Sequence, residues 1–359
     1  MIPYYILLFT PILFSIFLLF NKKSNKGITC TVFFILFLLL LVLRDISVGA
    51  DLLGYKSVFE HSQDMSFKEI VEGGDIMNFE AGWVFVNKVF SFFTSSFQTF
   101  MIICACFSVI PVFLLYRRYT SNTILTIALF ISLAFFTSYF SGLRQAFAMS
   151  AVPLAFYLVK RRKLLLFILT VTIVTLIHHS AIVLLLLYPL YHITIPRKSI
   201  IFILVFFVVI FSLRRVLFPL FQSILWEKYS TYEMSETGAF MVLVLLFLFV
   251  IMAFVFLPND NELDRDTIAF RNILVLTVFI QVFAGINTVA MRVNYYYLLL
   301  VPIAVPTIID KVRTSNKTLL RFLSLILIVI CYAKFFVGAY TGDDWAQIFP
   351  YRPYWIGQF

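Results

Sequence analysis

The sequence predicts an all-α, polytopic membrane protein of about 12 transmembrane helices plus one re-entrant or interfacial helix, and three observations predict it. Of the 359 residues, 62% are hydrophobic and only 13% are charged. Apolar runs close to the roughly 20 residues that cross a hydrocarbon core recur from one end of the chain to the other. They are helical blocks rather than ten-residue alternating strands, which excludes an outer-membrane barrel. The 44 Phe and 18 Tyr suit lipid-facing and interfacial positions. The longest polar stretch, 44–79, is too short to bury a core of its own, so residues 1–359 read as a single integral membrane domain.

In chain order, the run 3–20 lacks a basic leader and a small-residue cleavage site, so it reads as a retained first span. The runs 28–43, 97–116, 123–140, 143–159, 164–177, 180–191, 199–216, 238–257, 271–288, 293–309 and 319–337 follow. The segment 80–93 is apolar but short and carries Lys88 in its middle. It is assigned to an outer loop, 44–96, as a re-entrant or interfacial helix. Residues 338–359 form an outer tail.

Basic residues set the orientation. Lys22, Lys23 and Lys26; Arg117 and Arg118; 160–163; Arg197 and Lys198; Arg265 and Arg271; and Lys311, Arg313, Lys317 and Arg321 fall on one side. That side holds most of the 28 Lys and Arg and is therefore cytoplasmic, with both termini outside. Among the acids only Asp260, Glu262, Asp264, Asp266 and Asp310 lie inside. A full span at 80–93 would turn the later basic clusters outward, so it is rejected. Cys30, Cys104, Cys106 and Cys331 all sit in apolar runs and read as packing thiols. The net charge of +10 follows from the inner loops and needs no nucleic-acid partner; membrane lipids are the expected surroundings.

The outer side gathers the polar residues that break the apolar pattern: Arg44, Asp51, Tyr55, Glu80, Arg144, Gln145, His178, His179, Arg214, Arg215, Arg292 and Tyr295. Charge at span ends is costly unless it faces water or a partner. The stretch 43–59 is the richest. Gly49 frees the backbone there, and Asp51 precedes a helix whose next turn brings Tyr55 to the same face. Asp51 reads either as a reactive carboxylate beside Arg44 or as an N-cap paired with it.

The block 164–191 is basic at both ends with His178 and His179 at its centre, so it crosses twice on legs of about fourteen residues. Short legs place the histidine turn at the bottom of an outer depression. Neighbouring residues on a helix point about 100° apart, so at most one histidine is expected to react.

Arginines, a carboxylate and a histidine around an outward cavity suit an anionic lipid-linked substrate, because the guanidinium fork matches phosphate oxygens and stays charged. Arginine can stabilise a leaving pyrophosphate, while Asp51 or a histidine can deprotonate an attacking hydroxyl. No DxD-like pair or histidine cluster stands at ligand spacing on this side, so neither metal nor cofactor is expected.

The run R-D-I-S-V-G-A-D-L-L-G-Y from Arg44, F-E-A-G-W at 79–83, R-Q-A-F-A at 144–148, H-H-S-A at 178–181 and R-V-N-Y-Y at 292–296 resembles the EpsG family of Wzy-like polysaccharide polymerases, in order and over most of the chain. Leu52 stands where that family usually has a small hydroxyl residue, and Ala81 and Trp83 depart from the usual second motif. The resemblance implies a glycosyltransferase of the GT-C type in the bacterial inner membrane, which with the absence of metal-ligand spacing reads as metal-independent. Its donor and acceptor would be undecaprenyl-pyrophosphate-linked oligosaccharides, joined into O-antigen, capsule or exopolysaccharide, with a chain-length regulator as a further candidate partner. Asp51, His178 and His179 would be catalytic, and Arg44, Tyr55, Glu80, Arg144, Gln145, Arg292 and Tyr295 would bind substrate.

Two other functions fit a polytopic frame. A flippase for the same lipid-linked unit calls for midplane charges and an inverted repeat, and neither is found. A membrane O-acyltransferase calls for polar residues along the inner face, where the loops read as orientation signals. Reporters fused after Lys163 and Lys198 are expected in the cytoplasm; a periplasmic signal at either would overturn the topology.

Overall fold

The computed structural model describes residues 2–20, 26–73, 77–133, 135–225, 239–312, 317–341, 344 and 346–356. Its regular elements are helices: α1 (Ile2–Phe20), α2 (Lys26–Leu43), α3 (Leu52–Asp64), α4 (Phe67–Glu72), α5 (Ala81–Ser91), α6 (Phe97–Tyr119), α7 (Thr123–Ser132), α8 (Phe135–Ser141), α9 (Leu143–Met149), α10 (Val152–Lys160), α11 (Leu164–Ile177), α12 (Leu187–His192), α13 (Ile200–Leu225), α14 (Phe240–Val255), α15 (Arg265–Ala284), α16 (Thr288–Leu298), α17 (Val301–Lys311) and α18 (Lys317–Thr341). A 3-10 helix, His179–Leu186, links α11 to α12. The chain divides into two compact units, one of Met1–Leu184 with Ser324–Phe359 and one of Leu185–Leu323.

The helices are consistent with a polytopic membrane protein, and among the described residues three, or up to five if each bent pair is one span, have the length and composition to cross a membrane, against an expectation of about 12. Among the described residues, Phe97–Tyr119, Arg197–Leu220 and Arg265–Ala284 each have the length and composition to cross a bilayer. Two further candidates, Thr123–Ser132 with Phe135–Ser141 and Val289–Leu298 with Val301–Lys311, are pairs bent by more than 40°. Gly27–Leu43, Leu164–Ile177, His179–His192, Phe240–Val255 and Phe322–Val337 are shorter apolar helices. Runs that look continuous in hydropathy are interrupted in hydrogen bonding. The run 143–159 divides at Ser150 and Ala151, just before Pro153, which supplies no amide hydrogen and suits a first helical turn.

In the first unit, α2 packs on α1, α6 and α7. Phe33, Phe34 and Phe37 share one stripe of α2 by their helical spacing, and all three close on Phe130 of α7, with ring centroids 5.3–5.8 Å apart. Such edge-on aromatic pairs add to the stabilisation from burial itself. The break after α7 leaves carbonyl groups without helical donors. Lys334 of α18 supplies one, its Nζ lying 3.0 Å from the Ser132 carbonyl. α5, at 11 residues, rises about 16 Å, too little to cross a hydrocarbon core. Cys30 and Cys104 are buried in apolar surroundings, in keeping with a packing role, and Cys106 is partly exposed; the side chain of Cys331 lies outside the described set.

The second unit is built on α15, against which α12, α13, α14, α16 and α17 all pack. Three of its arginines have structural partners. The fully buried Arg271 pairs with Asp260 at 2.7 Å and donates to the Ile195 carbonyl at 2.7 Å, with its guanidinium over Phe254. Arg265 donates to the Ile193 carbonyl and Arg197 to that of Phe254. Asn294 ties α16 to α15 through Gln281 Oε1 at 2.8 Å and the Thr277 carbonyl at 3.0 Å.

The segment between α2 and α3 is fixed by chain from the far end of the sequence. Arg44 and Pro353 form an antiparallel bridge. The Asp45 amide donates to the Arg352 carbonyl (2.8 Å), that of Gly49 to Gln347 (3.1 Å) and that of Ala50 to Ala346 (2.9 Å). Gly49 has φ +138°, and a Cβ there would stand 2.3 Å from the Phe140 carbonyl oxygen. Both the dihedral and the contact require glycine. Gly49→Ala is expected to destabilise the protein by at least about 1–3 kcal/mol from backbone strain alone, read as a lower thermal midpoint in detergent; an unchanged midpoint would contradict this packing.

Candidate active site

The polar centre of the first unit forms where three helix ends meet. Glu80 stands immediately before α5, Arg144 lies in the first turn of α9, and His178 follows the last residue of α11 with extended backbone, φ −150° and ψ 111°. α5 can approach α11 because residue 82 is glycine: a Cβ there would lie 2.3 Å from the Leu176 carbonyl oxygen. That approach sets Glu80 beside the histidine turn. Glu80 Oε2 pairs with Arg144 Nη1, and Oε1 faces His178 Nδ1 at 3.2 Å and accepts from the His179 amide at 3.3 Å. The Arg144 guanidinium also lies over the Phe79 ring, 4.9 Å from its centroid.

Glu80 and His178 are both only 3% exposed. Burial pushes the Glu80 carboxyl up, but the His178 hydrogen bond, the Arg144 charge and the remaining contacts outweigh it and hold the group at about 2. The carboxylate is therefore ionised at neutral pH and can only accept. In the neutral ring that places the proton of His178 on Nδ1 and the basic lone pair on Nε2. His179, by contrast, turns its side chain to the surface. The two histidines diverge, as adjacent residues must.

Asp51 meets the chain just ahead of α9. Its amide donates to Ser141 Oγ at 3.3 Å, three residues before Arg144. Its side chain is exposed and makes no cap hydrogen bond to α3. The capping alternative thus fails: Asp51 has near-helical backbone angles, φ −95° and ψ −1°, which do not aim its carboxylate at the helix amides. The expected pairing with Arg44 fails too. Arg44 is fully buried, its Nη1 donating to the Tyr139 carbonyl at 3.1 Å and its guanidinium over the Phe140 ring. The bridge to Pro353 turns that side chain inward, so Arg44 belongs to the packing beneath the segment.

Tyr55 is buried against Phe79 and Trp83, with ring centroids at 5.3 and 5.8 Å, and Gln145 is buried next to Arg144 on α9. Arg292 and Tyr295 lie on α16 of the second unit, Arg292 partly exposed and Tyr295 buried. Sequence reasoning missed Phe79 as the floor under Arg144, Ser141 as the anchor of Asp51, and Gly82. The last had a legible signal: a glycine two residues after an acid, inside an apolar helix, marks a close approach.

A sequence model described as the EpsG family matches residues 27–352. The chain belongs to the EpsG family. Membership implies a polysaccharide polymerase or glycosyltransferase role, and the Glu80, Arg144 and His178 cluster lies inside the matched range. Neither the curated proteins nor the solved structures compared with the chain include a match.

The Glu80 contacts have a pH signature. A carboxyl held below its ordinary 4.5 contributes stability that is complete above that value and is lost as pH falls towards about 2. Glu80→Gln is expected to abolish the acid-dependent loss of thermal midpoint in that window, a contribution on the order of 3 kcal/mol. An identical acid limb in wild type and variant would show that the carboxylate is not held by these partners.

Proposed function

We propose that this EpsG-family protein polymerises undecaprenyl-pyrophosphate-linked oligosaccharide repeats at the outer face of the bacterial inner membrane, without a metal and with both termini outside. One observation carries the reading: a buried carboxylate, Glu80, holds a guanidinium and an imidazole in fixed orientation, and an exposed carboxylate that makes no cap hydrogen bond, Asp51, is tied through its amide to Ser141, three residues before Arg144. A guanidinium is a phosphate-binding group, and a carboxylate spared from structural work can take a proton.

In the proposed reaction the acceptor sugar hydroxyl attacks the anomeric carbon of the donor sugar. The new glycosidic C–O bond forms as the bond to the lipid pyrophosphate breaks, and the pyrophosphate leaves with the electron pair. Arg144 stabilises the charge that develops on it. The hydroxyl proton goes to Asp51, while Nε2 of His178 accepts a hydrogen bond that orients the hydroxyl or shares its proton. His179, Tyr55 and Gln145 border this centre as contacts for sugar. Glu80 is a positioning residue: it fixes Arg144 and the His178 tautomer.

Arg144→Lys is expected to keep the Glu80 pair and normal membrane abundance but lose the planar fork, at a cost on the order of 2–3 kcal/mol, roughly a hundredfold in rate. Asp51→Asn is expected to leave abundance unchanged, since no cap is lost, and to accumulate single lipid-linked repeats. Normal polymer from both variants would end this assignment.

A further inference from the structure

The tail after α18 does more than close the chain. Residues 346–353 run along the segment 44–50 and supply acceptors to three of its amides, those of Asp45, Gly49 and Ala50. The Tyr354 amide donates to the Leu43 carbonyl at 2.9 Å, and Tyr351 Oη donates to the Leu40 carbonyl at 3.0 Å. The tail is itself held: Tyr4 Oη of α1 donates to the Ile348 carbonyl at 2.6 Å, and Asp344 Oδ2 accepts from the Phe349 amide at 2.7 Å. Tyr4, Phe349 and Tyr351 pack ring on ring, with centroids 4.9 and 5.9 Å apart.

The residue that follows the last of these strapped amides is Asp51. Apart from the tail, Gln98 Nε2 donates to the Arg44 carbonyl at 3.2 Å, and the Gly49 carbonyl accepts from the Leu52 amide at 3.3 Å. Within the 44–50 segment the Val48 amide reaches the Asp45 carbonyl and the Ser47 amide the Asp45 side chain, and Ser141 meets only the amide of Asp51. Buried or half-buried amides without partners are costly, so the tail completes the segment that an extended edge would otherwise leave open.

We infer that the tail 344–356 is a strap that positions the Asp51 carboxylate for the transfer reaction, with Gln347, Arg352 and Tyr351 as its positioning residues. This rests on the proposed role of Asp51. The acceptors are backbone carbonyls at Ala346, Gln347 and Arg352, so the strap depends on the path of the chain more than on side-chain identity, and one point substitution in it is a weak test. Displacement of a reacting group by about 1 Å can cost on the order of a hundredfold in rate. The strap therefore acts on turnover and leaves lipid binding alone.

The test uses the full chain in proteoliposomes with a protease recognition sequence inserted after Thr341, supplied with the lipid-linked repeat extracted from a strain lacking the polymerase. Before cleavage, hydrogen exchange is expected to find the Asp45, Gly49 and Ala50 amides protected. After cleavage and removal of the tail they should exchange, kcat should fall on the order of a hundredfold with KM little changed, and a peptide of residues 344–356 should restore both. If the insertion alone lowers activity, a chain ending at Thr341 with the peptide added in trans decides the matter: rescue supports the strap and failure overturns it. Amides that stay protected without the tail overturn it, as does a full rate with the amides exposed, or a raised KM at constant kcat. Activity of Asp51→Asn in the uncleaved chain would instead remove the role of Asp51, while the exchange result still reports on the strap itself.

Discussion

Glu80 is the constraint on which the site depends. A carboxylate withdrawn this far from water is costly unless its lone pairs are used. Here they are used by Arg144, by His178 Nδ1 and by the His179 amide, so that one side chain joins the ends of three helices. Removing Arg144 leaves that charge buried without a counter-charge. The same carboxylate selects the His178 tautomer and the face that Arg144 presents over Phe79. Structure and chemistry share one group, and a substitution at Glu80 perturbs both.

The approach of α5 to α11 has the same character. Glycine at position 82 leaves out a Cβ that would meet the Leu176 backbone, and α5 comes close enough to α11 for the Glu80 contacts to form. Trp83 and Tyr55 fill the space behind, with Phe100, Phe59 and Leu143 in the same cluster. The polar centre thus sits against an apolar floor, which lowers the local dielectric and strengthens each charged contact. The second unit uses its charges otherwise: Arg197, Arg265 and Arg271 are spent on carbonyls and on Asp260, tying down loops that the sequence marks only as basic.

Much of the site was legible because polar residues are conspicuous in an apolar chain. Glu80, Arg144 and His178 each interrupt a hydrophobic run, and the short legs around the histidine pair were visible as a length deficit: α11 has 14 residues and ends where the histidines begin. Their mutual contact was not legible, since Glu80 and His178 are 98 residues apart and nothing local links them. The inward turn of Arg44 could not be read either, because it follows from a backbone bridge to Pro353. Helix breaks at 133 and 150 escaped for a different reason: hydropathy records what a residue is, and a break is a change in where its amide points. Lys334, a lone charge in an apolar run, becomes intelligible only once the open carbonyl of Ser132 is known.

The strap also gives the protein an order of assembly. Tyr351 follows Leu40 by 311 residues, which at about 5–20 residues per second means that the tail emerges roughly 15 to 60 s after the segment it holds. Throughout that interval the Asp45, Gly49 and Ala50 amides lack the carbonyls that the tail supplies, while the residues of the Glu80 contacts are already present on α5, α9 and α11. The Glu80 cluster is therefore complete in the chain before the segment that leads to Asp51 is. A half-made chain holds the cluster but not the strap, and translation of the last residues completes the 44–50 segment.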